Sequence, residues 1–93
     1  MLPIHPGRIL KRELAARGLS ANRLAIALRL PSGRISDILN GKRGISPETA
    51  LRLARFFGNS PRFWLNLQLN YELAVSEREI GARVAEEVKP AAA

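Results

Sequence analysis

The chain has 93 residues, of which 46% are hydrophobic, and it carries a formal net charge of +7. This length suits one compact domain with a modest core, and the composition argues against disorder. The sequence contains no cysteine and one histidine, which excludes thiolate and histidine-cluster metal sites, so we expect neither metal nor cofactor. It also lacks an apolar run of membrane-spanning length and a signal-peptide pattern. We therefore expect a cytoplasmic protein with no membrane partner.

The basic charge is concentrated in the first two-thirds of the chain. Eleven of the 15 Lys and Arg residues, but only three of the 8 Asp and Glu residues, lie within residues 1–60. A basic body with a nearly neutral end predicts a polyanionic partner for the first two-thirds. The alternative, that the basic charge only aids solubility, stays open at this point.

Proline, glycine and serine residues divide the first half of the chain into three helices. Pro6-Gly7 precedes an apolar helical pattern, and Gly18 fits the residue just past the end of that helix. Ser20 fits the N-cap of a second helix, because its hydroxyl can accept from the amides of the first turn. Pro31 predicts the start of a third helix, which ends at Gly41.

The second half of the chain repeats one start signal. Ser46-Pro47 and Ser60-Pro61 each pair an N-cap serine with a proline at the first helical position. Gly58 ends the fourth helix. The fifth helix is predicted to reach about Ser76, with a weaker continuation to Val88.

Apolar and polar residues never alternate with a period of two, so the sequence predicts an all-α fold of five helices. We divide it into a domain over residues 1–76 and a partly frayed C-terminal extension over 77–93. Within the domain, residues 21–40 form the predicted recognition unit, and residues from about 61 to 76 form the predicted dimerisation helix.

Residues 21–40 have the spacing of a helix-turn-helix. Two short helices can cross steeply where the contact residue is small, and Ala25 supplies that residue. The angle between the helices is filled by five apolar residues: Leu24, Leu28, Leu30, Ile35 and Ile38. The alternative is an arbitrary helical hairpin, which the basic surplus disfavours.

The outward residues of the third helix are candidates for base contacts, because the N-terminal part of such a helix lies in the major groove. These candidates are Ser32, Gly33, Arg34, Ser36 and Asp37. Gly33 can only let the backbone come close, and Arg34 can reach either guanine or phosphate. Asp37 can accept from cytosine N4 or pair with Arg34 or Arg43.

A second set of residues suits phosphate contacts, which fix the register on DNA without reading its sequence. Some precede or open the second helix and the others follow the third: Ser20, Asn22, Arg23, Asn40, Lys42 and Arg43. The alternative for Lys42 and Arg43 is that they are solvated loop charges.

The fifth helix carries two apolar stripes, whereas a surface helix needs only one for its own core. The first stripe is predicted to be core: Phe63, Trp64, Leu67, Tyr71, Ala74 and Val75. The second consists of Leu65, Leu69 and Leu73, which we predict to form a homodimer interface. A twofold dimer would place two recognition helices about 34 Å apart, one turn of DNA. Alternatively, this stripe packs under the C-terminal segment.

Five sequence motifs together resemble one known family. They are HPGxIL at 5–10, where x is any residue, GLS at 18–20, RISDILNGKRGI at 34–45, TALRLA at 49–54 and FWLNLQ at 63–68. Over about residues 4–76 the chain resembles the HigA-like antitoxins, or VapI group, within the Xre/phage-repressor class of helix-turn-helix proteins. Arg8, Ala21, Gly33 and Arg29 depart from residues usual in the family. Gly33 stands where serine is frequent and Arg29 where glycine is usual, and these two leave the operator sequence and the turn geometry open.

The resemblance implies a five-helix, lambda-repressor-like DNA-binding domain that forms a dimer. It also implies repression of the protein's own operon at a palindromic operator and neutralisation of a HigB-like toxin, an mRNA-cleaving enzyme of the RelE type. Two alternatives remain: a solitary Xre-type regulator without a toxin, and an RNA- or protein-binding module. An enzyme is disfavoured, since the sequence has no cysteine and no Gly-rich phosphate loop between a strand and a helix.

Overall fold

The computed structural model describes residues 2–92, which contain five α-helices and no strand. The helices are α1 (Pro6–Arg17), α2 (Ala21–Leu28), α3 (Ser32–Leu39), α4 (Pro47–Phe57) and α5 (Pro61–Glu87). The predicted all-α class and the number of helices are confirmed. Within this part of the chain, none of the helices combines the length and apolarity that a membrane span needs.

Three serine N-caps begin helices where the sequence predicts them. The hydroxyls of Ser20, Ser46 and Ser60 accept from the amide three residues later at 3.1, 3.3 and 3.1 Å. Each cap satisfies one of the amides that a helix start leaves without a partner. Pro31 differs from the prediction, because it occupies the N-cap position and α3 begins one residue later.

The turn of the helix-turn-helix closes through a residue with left-handed backbone geometry. Arg29 has φ 59° and is the one non-glycine residue with positive φ among the described residues. The Leu30 amide donates to the Ala25 carbonyl at 3.0 Å, as in a Schellman motif. Arg29 therefore closes the turn in the same way as a glycine would, although a residue with a side chain is strained in this left-handed conformation.

The five helices share one core, which supplies the apolar burial that the short helices lack by themselves. Its residues are Leu10, Leu14, Leu24, Ala25, Leu28, Ile35, Ile38, Ile45, Ala50, Leu53, Ala54 and Trp64. The predicted inward faces of α2 and α3 are confirmed. The prediction for Phe63 is wrong, because that ring is 43% exposed at the edge of Trp64.

Helix α5 is longer than the main prediction for it. Its 27 residues continue past Ser76 to Glu87 without a break, so the structure agrees with the weaker continuation. At about 1.5 Å per residue, α5 measures about 40 Å and accounts for much of the 53 Å long dimension of the molecule. From Glu77 onward almost every side chain is exposed, because no other helix covers this part of α5.

The start of α1 lies against the end of α3, and Gly7 makes this approach possible. A Cβ at position 7 would overlap the carbonyl oxygen of Ile38 and lie 2.9 Å from its carbonyl carbon. His5 caps the same helix start, since its Nδ1 accepts from the Gly7 amide at 2.9 Å. Pro6 supplies the fixed φ of the first helical residue. Each residue of this tripeptide therefore has a separate role in setting α1 against the recognition helix.

We expect Gly7→Ala to lower the free energy of unfolding by about 1–3 kcal/mol, because backbone must move to accommodate the methyl group. Gly33→Ala is the matched control: nothing lies within 4 Å of a Cβ there, so we expect no loss of stability. Urea unfolding followed by circular dichroism measures both. Equal midpoints for the two variants would contradict the role of the close approach.

Candidate nucleic-acid interface

The predicted base-contact residues lie along the outer side of α3. Ser32, Gly33 and Ser36 are exposed, whereas Arg34 and Asp37 are half-buried. On its inner side, this helix packs into the core through Ile35 and Ile38, both with 0% exposure. The buried pair sets which residues face outward, so α3 presents a surface of small polar side chains with few long ones.

Arg34 points toward α4 and takes part in a chain of charged groups. Its Nη1 lies 3.8 Å from Glu48 Oε1, and the other oxygen of Glu48 lies 3.2 Å from Arg52 Nη2. The Nη1 of Arg52 donates to the Leu28 carbonyl at 3.0 Å, which satisfies a carbonyl at the end of α2. This chain links α2, α3 and α4. Sequence reasoning missed Glu48 and Arg52, because their contacts with Arg34 and Leu28 join residues 14 and 24 positions apart.

The Asp37 carboxylate forms no ion pair with Arg34, Arg43 or any other basic side chain among residues 2–92. Its backbone, in contrast, holds the loop after α3. The Asp37 carbonyl accepts from the amides of Lys42 at 2.8 Å and Arg43 at 3.2 Å. The carboxylate oxygens of Asp37 therefore remain available to a donor outside the chain. Its backbone carbonyl sets the direction of residues 40–46, the segment between α3 and α4 that carries Lys42 and Arg43 and is called the basic loop below.

The predicted phosphate-contact residues are exposed on two segments. Asn22 and Arg23 lie in the first turn of α2, and Asn40, Lys42 and Arg43 follow α3. The Ser20 hydroxyl oxygen already accepts from the Arg23 amide, but its O–H can still donate. The start of α2 also carries the partial positive charge of a helix N-terminus, which favours a phosphate.

His5 lies beneath the basic loop. A Cβ at Gly41 would be 4.0 Å from the imidazole Cγ, and the ring meets Tyr71 of α5 edge-on, with centroids 4.9 Å apart. Burial lowers the pKa of His5 below its ordinary 6.5, and an interaction with the Arg43 backbone opposes that shift. A neutral ring suits this position, because Nδ1 must keep its lone pair for the Gly7 amide.

Gln68 reaches the other end of the same loop from α5. Its Oε1 accepts from the Ile45 amide at 2.8 Å. Sequence reasoning gave Gln68 no role, and its place in the FWLNLQ motif was the one signal that could have pointed to it. The basic loop thus contacts α3, the start of α1 and α5.

The three predicted dimer residues have different surroundings. Leu65 is half-buried and packs against the core, whereas Leu69 and Leu73 are 53% and 51% exposed. The apolar exposure continues along α5 at Ile80 and Val84. Leu65 therefore contributes to the fold of its own chain, and the other two remain available for a partner.

The described residues hold no group of three or more His, Asp and Glu side chains that could bind a metal ion. Apart from the Asp37 carboxylate, residues 20–45 present mainly hydrogen-bond donors, namely cations, amides and hydroxyls, on and beside the exposed outer side of α3. Such a surface suits a polyanion with groove edges that can be read by hydrogen bonds.

Comparisons with known proteins agree with this geometry. A sequence model of the helix-turn-helix family matches residues 10–64. Virulence-associated protein I of Dichelobacter nodosus is 48% identical over 80 residues, which cover 85% of this chain and 74% of the relative.

Two solved structures match nearly the whole chain. The HigA-family addiction-module antidote protein of Coxiella burnetii is 49% identical with a TM-score of 0.95, covering 98% of this chain and 100% of the other. The antitoxin HigA of Pseudomonas aeruginosa, solved with the higBA promoter, is 40% identical with a TM-score of 0.94, covering 98% and 100%. The chain therefore belongs to the helix-turn-helix family, as one of its DNA-binding, HigA-type members, and not to a family of enzymes.

Proposed function

We propose that this protein is a cytoplasmic antitoxin that represses its own toxin–antitoxin operon as a dimer on a palindromic operator. It neutralises a HigB/RelE-like mRNA-cleaving toxin. The observation that carries the DNA part is the exposed outer side of α3 beside the basic loop with Lys42 and Arg43. The likeness in sequence and fold to an antitoxin solved with promoter DNA supports the same conclusion.

In this proposal one set of residues contacts bases and the other set contacts phosphates. The outer side of α3 contacts base edges through the side chains of Ser32, Arg34, Ser36 and Asp37, and Gly33 lets the backbone come close to the groove. Backbone phosphates are held by Ser20, Asn22, Arg23, Asn40, Lys42 and Arg43. Because serine discriminates poorly between bases, phosphate contacts and the pairing of two copies supply most of the affinity.

The proposed dimer interface is the second stripe of α5. Leu69 and Leu73 are exposed there, and Leu65, the third residue of the stripe, packs against the core of its own chain. A twofold axis at this stripe duplicates the interface, as a palindromic operator requires. Binding two half-sites at once raises the affinity far above that of one α3 helix.

The toxin part rests on the likeness to an addiction-module antidote protein. The second candidate function is a solitary Xre-type regulator, since the DNA-binding surface serves either role. A RelE-like toxin gene directly beside this one distinguishes the two, and growth rescue when both genes are expressed together tests neutralisation.

Loss of a phosphate contact and loss of a base contact should have different effects on DNA binding. We expect Lys42→Ala to weaken operator and random DNA about equally and to reduce the salt slope by about 1. Ser36→Ala should change the operator affinity and leave random DNA unaffected. Gel shifts with the protein's own promoter at several salt concentrations measure both. Equal wild-type affinity for the two DNAs would contradict specific repression.

Glu48 is expected to restrain Arg34 in the free protein. Because the Arg34–Glu48 pair is worth at most about 1 kcal/mol, Glu48→Gln should raise the affinity for random DNA about two- to fivefold. Glu13→Gln is the matched control, since it removes one charge from an exposed pair with Arg17. The gain should vanish in an Arg34→Ala background. If it persists there, Arg34 is not the group that Glu48 restrains.

The dimer interface is tested by placing a charge in the exposed stripe. Leu69→Asp should shift sedimentation from dimer to monomer and weaken operator binding, because a buried carboxylate at the interface is not compensated. Ile26→Asp is the control for the sedimentation measurement, as Ile26 is 68% exposed on α2 and away from the stripe, and this variant should remain a dimer. A full dimer for Leu69→Asp would rule out this interface.

A further inference from the structure

The basic loop between α3 and α4 is held at both ends by hydrogen bonds. At its start, the Asp37 carbonyl accepts from the amides of Lys42 and Arg43. At its end, the Ile45 amide donates to Gln68 Oε1 at 2.8 Å. Ile45 is only 4% exposed, so its amide depends on a protein acceptor. Gln68 is thus the group on α5 that fixes where this loop ends.

The fit between Gln68 and the loop requires a glycine. A Cβ at Gly44 would lie 2.6 Å from Oε1 and 2.7 Å from both Cδ and Nε2 of Gln68. Gly44 has no left-handed backbone conformation, so conformational freedom does not explain this glycine. The space that the missing side chain leaves is occupied by the Gln68 amide.

A third residue orients that amide. Gln68 Nε2 donates to Glu72 Oε1 at 3.2 Å, one turn further along α5. The carboxylate can only accept and the Ile45 amide can only donate, so the two partners require opposite ends of the Gln68 amide. Glu72 therefore directs the Gln68 oxygen toward the loop.

The geometry points to Gln68 as a positioning residue for DNA binding: from α5, oriented by Glu72, it holds the loop that presents Lys42 and Arg43 to the phosphates. This inference rests on the phosphate-contact role proposed above for that loop. Gln68 itself does not touch DNA. It acts by reducing the number of loop conformations, so that less ordering is needed when the phosphates are bound.

The test measures DNA affinity and stability on the same variants. We expect Gln68→Ala to weaken operator and random DNA by about five- to tenfold and to flatten the salt slope, since the lost contacts are to phosphates. Binding is measured where urea unfolding shows each variant to be fully folded. Asn66→Ala is the matched control, an exposed amide on the same helix, and it should bind like wild type.

A double-mutant cycle tests the contact itself. Gly44→Ala alone should weaken binding because the methyl group displaces the Gln68 amide. The double variant Gly44→Ala/Gln68→Ala should be no weaker than the worse single variant, since the obstruction is gone. Additive losses would overturn the proposed contact. If Gln68→Ala does not fold, Glu72→Ala replaces it, because Glu72 is exposed and its loss should weaken binding in the same direction but less.

The outcomes separate this inference from the proposed function. Wild-type affinity and salt slope in a folded Gln68→Ala, with Lys42→Ala weakened, would leave Gln68 a purely structural residue and overturn the inference. Unchanged binding in both Lys42→Ala and Arg43→Ala would instead contradict the phosphate-contact role of the loop, and with it the premise of the inference.

Discussion

The recognition helix α3 depends on the burial of Ile35 and Ile38. A helix of eight residues is not stable alone in water, so its conformation and direction come from its neighbours. Both isoleucines are fully buried in the shared core, and at the end of the helix Gly7 lets α1 approach the Ile38 backbone. The polar side chains on the outer side of α3 face outward because the inner side cannot turn away from the core.

The polar contacts around α3 add direction more than stability. The pairs of Glu48 with Arg34 and Arg52 are exposed and contribute little energy. Together with the hydrogen bond from Arg52 to the Leu28 carbonyl they connect α2, α3 and α4, and they pair Arg34, the one long donor of the recognition helix, with Glu48. Under the proposed function, a recognition helix with small polar side chains and one paired arginine draws most of its affinity from the cations of the loop, Lys42 and Arg43. The contacts that His5 and Gln68 make with this loop therefore bear directly on function.

Helix α5 has two different roles along its length. Its first half supplies Trp64 to the core and Gln68 to the basic loop. Its second half extends beyond the other helices, with Ile80 and Val84 exposed. Eleven of the 15 Lys and Arg residues lie within residues 1–60, whereas five of the 8 Asp and Glu residues lie in α5.

The sequence by itself determined the local features. The serine caps and the apolar faces of α2 and α3 could be predicted, because each depends on residues within a few positions of one another. The family could be identified because each of its motifs is a short run of neighbouring residues. Tertiary structure decided the length of α5, the exposure of Phe63, and the close approaches at Gly7 and Gly44. The hydrogen bond between Ile45 and Gln68 joins residues 23 apart. Helical periodicity shows which face of a helix is apolar, but it does not show which distant backbone that face will meet.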